Sequence, residues 1–434
     1  MNYYSLNNKL HKVTFQQAVI EGLAPDKGLY FPEKMNQLSA DFFENIENLS
    51  NEEIAYETIK QFVEEEIPET NLKQIIKETL CFDFPLIEVE KNIFSLELFH
   101  GPTMAFKDVG ARFMSRCLAY FNRNLNQKNT VLVATSGDTG GAVASGFIGV
   151  KGVRVVILYP SGKVSDIQER QLTTLGQNIT ALKVDGVFDD CQDMVKKAFL
   201  DEDLKLYNLT SANSINIARW LPQMFYFFFG YKELKKHNKP IIISCPSGNF
   251  GNICAGIMAK KLGLPIAHFV ASTNLNDTVP RFLVHGKYEA KPSITTISNA
   301  MDVGNPSNFI RIQELYNNDL SEFEKDFSSY AFSDEETKNA MKSIYENSNY
   351  VAEPHGAIGF LGLKKEMAKQ SNSIGIFLET AHPIKFLDVV EPELNIKLEI
   401  PEQIKSVLGK EKVSLKISNY VDLKNFLLKT ALKT

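Results

Sequence analysis

Two open, mostly parallel α/β domains, preceded by an N-terminal segment of different character, are the fold class this 434-residue chain predicts. Three observations carry the prediction. The chain is too long for one ordinary hydrophobic core. Short β-branched runs such as Thr130–Thr135, Val153–Tyr159 and Ile179–Val184 alternate with helical patterns, and a second alternation starts near residue 217. Glycine-rich turns follow two of the strand-like runs, at 136–140 and 247–252. Strands separated by helical crossovers imply parallel pairing.

In chain order, residues 1–90 read as a helical and extended segment packed on the large domain. Ala24-Pro25-Asp26-Lys27-Gly28 is a turn before Leu29-Tyr30-Phe31-Pro32. Ile54, Ile59, Phe62 and Val63 fall at helical spacing in a helix from Asn51 to Glu66, which Pro68 ends. Residues 91–210 form the first α/β domain. Its expected elements are a strand over Asn92–Leu98, a helix over Gly110–Phe121, the three strands above, and helices over Gly141–Ile148, Ser165–Leu175 and Asp189–Leu200. Residues 211–434 form the second. A long helix over Ile217–His237 leads to strands at Ile241–Cys245, Ile266–Val270 and Ile374–Leu378, with a helix over Gly251–Leu262. The two blocks are expected to pack on each other around a cleft.

Composition narrows the function. A hydrophobic share of 44% and a charged share of 23% suit a soluble globular protein, and a net charge of −5 without a Lys/Arg cluster argues against a nucleic-acid partner. The most apolar run, Phe225–Phe229, is far too short to span a membrane and reads as core or interface, leaving the oligomeric state open. Five scattered cysteines without CxxC spacing, behind an amino terminus with no signal pattern, read as cytoplasmic. No His/Cys/Asp spacing makes a metal site.

Three motifs carry chemistry. Lys107, in His100-Gly101-Pro102-Thr103-Met104-Ala105-Phe106-Lys107-Asp108, has an amine that can condense with an aldehyde cofactor and later serve as a base. Pro246-Ser247-Gly248-Asn249-Phe250-Gly251-Asn252 follows a strand and opens a helix, so its backbone N–H groups can face one anion. Glycine turns end many strands, so this loop alone decides nothing. It matches neither the dinucleotide fingerprint nor the Walker spacing. The turn Thr135-Ser136-Gly137-Asp138-Thr139-Gly140 can hold an amino-acid carboxylate, with Ser136, Asp138 and Thr139 as candidates, or can be an ordinary helix cap.

The lysine string, with Gly110-Ala111-Arg112-Phe113 behind it, resembles the cofactor-lysine region of threonine synthases, a pyridoxal phosphate family of the tryptophan synthase β-subunit fold. The similarity runs nearly end to end. Gly22-Leu23-Ala24-Pro25-Asp26, Ser211-Ala212-Asn213-Ser214-Ile215-Asn216, Ser272-Thr273-Asn274-Leu275-Asn276-Asp277 and Thr380-Ala381-His382-Pro383 match further blocks in order. The resemblance implies that Lys107 holds pyridoxal phosphate. It implies that Gly248, Asn249, Phe250, Gly251 and Asn252 hold the cofactor phosphate, and that Thr380 bonds the pyridine nitrogen. Asn213, Ser214, Asn216 and Arg219 are candidates for the substrate's own phosphate, with Lys163, Ser165, Gln168 and Gln171 behind them. Asp138 stands where related β-replacement enzymes usually carry Asn. His355 and His382 read as structural rather than acid–base groups. The implied substrate is O-phospho-L-homoserine, converted with water to L-threonine and phosphate by γ-elimination and β-addition. The competing expectations are an ammonia-lyase or phospho-lyase of the same fold, and a catalytically silent cofactor-binding relative.

Overall fold

The computed structural model describes residues 1–63, 66–123, 129–370 and 372–431, and the chain divides into two compact units. The first comprises Met1–Glu33, Lys107–Arg219 and Ile400–Thr434, and the second Lys34–Phe106 and Trp220–Glu399. These boundaries differ from the expected 1–90, 91–210 and 211–434. Spatial proximity rather than sequence proximity decides membership. Tyr3–Ser5 pairs antiparallel with both Asn8–Val13 and Tyr30–Pro32, and the helix Phe15–Glu21 is tied to the first α/β block, where the Thr210 hydroxyl donates to the Val19 carbonyl at 3.1 Å. The late strand Leu415–Ile417 joins the same block as a sheet edge.

The first unit's main sheet runs in the order Leu415–Ile417, Ile179–Val184, Val153–Pro160, Asn129–Ala134, Leu209–Ser211, every pair parallel. Its inner strands are buried almost throughout, as helices on both faces require, and so they read as unbroken apolar runs. The second unit's sheet runs Phe327–Ala331, His268–Thr273, Ile241–Pro246, Ile374–Glu379, Ile93–Glu97, Leu86–Glu90. It is parallel except for the last pair, an antiparallel hairpin.

The expected long helix over 217–237 is broken into Ile217–Trp220, a 3₁₀ turn Leu221–Met224, Phe225–Leu234 and a second 3₁₀ turn Lys235–His237. Pro222 has no N–H to continue the ladder. Phe225–Phe229 is buried, so the aromatic run is core. The strand expected from Ile266 begins at His268. Among the described residues no helix is long and apolar enough to cross a membrane.

Candidate functional site

Three neighbouring parallel strands of the second unit, Ile241–Pro246, Ile374–Glu379 and Ile93–Glu97, end at one edge, with Ser244 opposite Phe377 and Glu379 opposite Glu97. Ligands of open α/β sheets bind beyond the carboxyl ends of the strands. Each strand here leads into one of the singled-out segments: the glycine loop, Thr380, and the stretch before Lys107. The loop and that stretch leave the sheet two strand spacings apart, roughly 10 Å.

The stretch before Lys107 is tied to Thr380 by its backbone. Ala105 bridges Ala381 in an antiparallel pair, Phe106 N–H donates to the Thr380 carbonyl at 2.8 Å, and His382 N–H donates to the Met104 carbonyl at 3.1 Å. The Tyr226 hydroxyl donates to the Phe106 carbonyl, and Lys385 Nζ to the Thr103 carbonyl at 2.9 Å. Both sides of Phe106 are therefore fixed, and one peptide bond later Lys107 opens the helix Lys107–Asn122. The aromatic run thus contributes a hydroxyl that nothing in its apolar pattern signals.

The glycine loop could hold an anion. Phe250 takes the left-handed conformation at φ 60° and starts the helix Gly251–Lys261 with no side-chain cap. A Cβ on Gly248 would lie 2.7 Å from Met301 Cα and 2.9 Å from the Ala300 carbonyl oxygen. No described carbonyl accepts from the backbone N–H of Gly248, Phe250, Gly251 or Asn252. Those donors, at the positive end of a helix, fit a phosphate group. The side chains of the two loop asparagines bond backbone of the protein. Asn252 Nδ2 donates to the Pro246 carbonyl at 2.8 Å, and Asn249 Oδ1 accepts from Ser307 N–H at 2.6 Å. Thr380 is buried, and none of the described residues hydrogen-bonds its hydroxyl.

Both singled-out histidines brace backbone. His355 Nε2 accepts from Ala300 N–H at 3.2 Å, so its proton lies on Nδ1, which donates to Glu353 Oε2 at 2.5 Å. This holds the turn that packs on Gly248. His382 Nδ1 accepts from Ile384 N–H at 3.0 Å; burial, with the nearby His100, pulls its pKa down to about 4, so it is neutral at physiological pH. Beside His355, burial and the charge of Glu353 push the Glu379 carboxyl well above the usual range.

In the first unit the adjacent strands Asn129–Ala134 and Leu209–Ser211 deliver the other candidates to one edge. The cap of the helix Asp138–Phe147 is Gly137, at φ 144°, rather than Asp138 or Thr139. The Thr135 hydroxyl organises the turn, accepting from Gly137 N–H at 2.9 Å and Gly140 N–H at 2.8 Å. Asp138 is buried and accepts from Gln168 Nε2 at 3.1 Å, whereas Ser136 and Thr139 are part-exposed and available to a ligand. Asn213 Nδ2 donates to the Ala134 carbonyl at 2.8 Å, joining the two loops, and Ser214 is part-exposed beside it. Asn216 is wholly buried. Its amide donates to the carbonyls of Val19 at 2.9 Å and Ser211 at 3.0 Å, which makes it a loop anchor. Arg219 is also buried and donates to the Ala212 carbonyl. The motifs did not reveal the role of Tyr226, because its hydroxyl acts on backbone that is remote in sequence.

The chain is similar to known proteins along its length. Residues 73–377 match the family model described as pyridoxal-phosphate dependent enzyme, residues 2–80 that of the threonine synthase N terminus, and residues 356–426 that of the threonine synthase C-terminal region. The threonine synthase of Haemophilus influenzae is 44% identical over 99% of this chain and 100% of its own length. The crystal structure of threonine synthase from Escherichia coli superposes with a TM-score of 0.92 at 40% identity, covering 99% of this chain and 100% of that one. The pyridoxal phosphate-bound threonine synthase of Brucella melitensis gives 0.91 at 32% identity, covering 98% of each.

Proposed function

The chain belongs to the threonine synthase family of pyridoxal phosphate-dependent enzymes, and from that premise we propose how its residues divide the work. The reaction turns O-phospho-L-homoserine and water into L-threonine and phosphate, the closing step of threonine biosynthesis. The observation that carries the division is the strand edge where the glycine loop, Thr380 and the chain into Lys107 emerge side by side.

When bound, pyridoxal phosphate supplies the electron sink that lets carbon–hydrogen bonds near the substrate's amino group ionise. Lys107 Nζ would hold it, and the same amine, once free, would carry the proton from Cα of the substrate. In the net change one hydrogen moves from Cβ to Cγ. The Cγ–O bond breaks with its electron pair going to phosphate, and water supplies the Cβ hydroxyl and a proton for the departing phosphate. The N–H groups of Gly248, Phe250, Gly251 and Asn252 hold the cofactor phosphate, in a loop shaped by the Asn249 carbonyl and side chain. The Thr380 hydroxyl would bond the ring nitrogen. A neutral hydroxyl favours a protonated ring less than a carboxylate would, which suits elimination and replacement over transamination. Ser136 and Thr139 bind the substrate carboxylate at the start of the helix Asp138–Phe147, with Asp138 fixed beside them by Gln168. Asn213, Ser214 and Arg219 serve the substrate phosphate, and Asn216 anchors their loop. A cytoplasmic location accompanies this reading, since the substrate is a small phosphorylated amino acid and none of the five cysteines forms a disulfide.

The test is an assay of purified protein with O-phospho-L-homoserine. Threonine and phosphate should appear in equal amounts. Release of 2-oxobutyrate instead would make the protein a phospho-lyase, and a sample that stays colourless with added cofactor would make it a silent relative.

A further inference from the structure

Behind the glycine loop lies a buried cation that no motif announced. Arg311, in the helix Phe309–Leu315, is wholly buried with its guanidinium 4.4 Å from the ring centroid of Trp220, the chain's only tryptophan. Its Nη1 donates to Asn308 Oδ1 at 2.7 Å, which fixes the Asn308 amide so that Nδ2 donates to the Asn249 carbonyl at 3.1 Å. Asn308 N–H reaches the same carbonyl at 3.3 Å. One relay thus runs from the guanidinium to the middle of the loop. The charge is also felt at the Cys254 thiol, in the first turn of the helix Gly251–Lys261.

This placement is costly in an empty loop. A guanidinium removed from water loses hydration, and burial pulls its pKa down to about 10, still charged at neutral pH. It also stands near a helix end that is itself positive. An anion seated on the loop reverses both penalties, because charges attract more strongly where water is excluded.

We infer that Arg311 is a positioning residue for the phosphate of the cofactor: it sets the loop through Asn308 and Asn249, and its charge makes the loop select a phosphorylated ligand. The inference rests on the reading that this loop holds the cofactor phosphate. It predicts a change in selectivity, whereas a merely structural role would weaken all ligands alike.

The experiment compares the dissociation constants of pyridoxal phosphate and phosphate-free pyridoxal, by visible absorbance, for wild type, Arg311→Lys, Arg311→Met and Asn308→Ala. Arg311→Met should weaken pyridoxal phosphate about tenfold or more while leaving pyridoxal within about twofold, and Arg311→Lys should recover part of the loss. Titration of the apo wild type with inorganic phosphate should also change Trp220 fluorescence saturably, and Arg311→Met should abolish that response. If Arg311→Met does not fold, the Lys and Asn308→Ala variants carry the same comparison. Equal weakening of both ligands, or no change in either, overturns the inference. A wild type that binds pyridoxal as tightly as pyridoxal phosphate overturns the underlying assignment of the loop as well.

Discussion

The glycine loop of the second unit and the Ser136–Thr139 turn of the first solve similar problems differently. Both lie where a parallel strand gives way to a helix, and both offer backbone N–H groups. The loop is buttressed in depth: Asn308 and Ser307 hold Asn249, Met301 packs on Gly248, and His355 holds Ala300. The turn is organised by the Thr135 hydroxyl and the Gln168 amide, and its hydroxyls at Ser136 and Thr139 remain part-exposed. A group that stays bound gains from a cradle already shaped for it, since little ordering cost remains on binding. A substrate that enters and leaves each cycle would be served by a lightly held turn.

The largest expected effect removes what both regions serve. Lys107→Ala should lower turnover by about 10³-fold or more and erase the cofactor's visible absorption band. A variant that keeps both would remove Lys107 from the mechanism. The comparison itself is broken or sharpened by two glycines. Gly248→Ala puts a methyl group against the backbone at Met301 and should weaken cofactor binding by about tenfold or more, seen as loss of colour on dialysis. Gly137→Ala imposes a side chain at φ 144°, where the cost is of order 1–3 kcal/mol. It should depress kcat/KM with cofactor content unchanged. If the two variants gave the same phenotype, the contrast between resident and transient sites would collapse. Thr380→Asp should then shift side products toward transamination, by a few-fold at most, and an unchanged product ratio would free Thr380 from the ring nitrogen.

The smallest effect is on stability against pH. His382 binds its proton less tightly folded than unfolded, so stability should fall as pH drops from 6.5 to about 4. Glu379 holds its proton more tightly folded, so its contribution is greatest in acid and is lost as pH rises above 4.5 through its raised pKa. Glu379→Gln should flatten the alkaline limb of a melting-temperature profile and leave the acid limb in place.

The sequence made the strands and turns of this edge legible because each is a local signal: β-branched runs, glycines at tight turns, an apolar stripe at helical spacing. It did not reveal which strands are neighbours. That is why the sequence does not show Met1–Glu33 and the stretch after Ile400 gathering with Lys107–Arg219, nor the edge strand Leu415–Ile417. Pro222 was visible, yet the aromatic pattern on either side of it suggested one helix. Lys107, the loop and Thr380 stood out through family-like strings. Asn308, Arg311 and Tyr226 did not, because an asparagine in a polar loop, an arginine on a short helix and a tyrosine in an aromatic run look ordinary until their partners are known.

The strand order has a consequence for synthesis. Ile93–Glu97 leads into Lys107, yet its neighbour in the sheet is the strand Ile374–Glu379, and between the two in sequence lies most of the second unit. A nascent chain halted before Ile374 would carry both the amine and the glycine loop with no strand to join them. Retention of the yellow cofactor therefore reports that translation has run almost to completion, and fragments left by premature termination should emerge colourless.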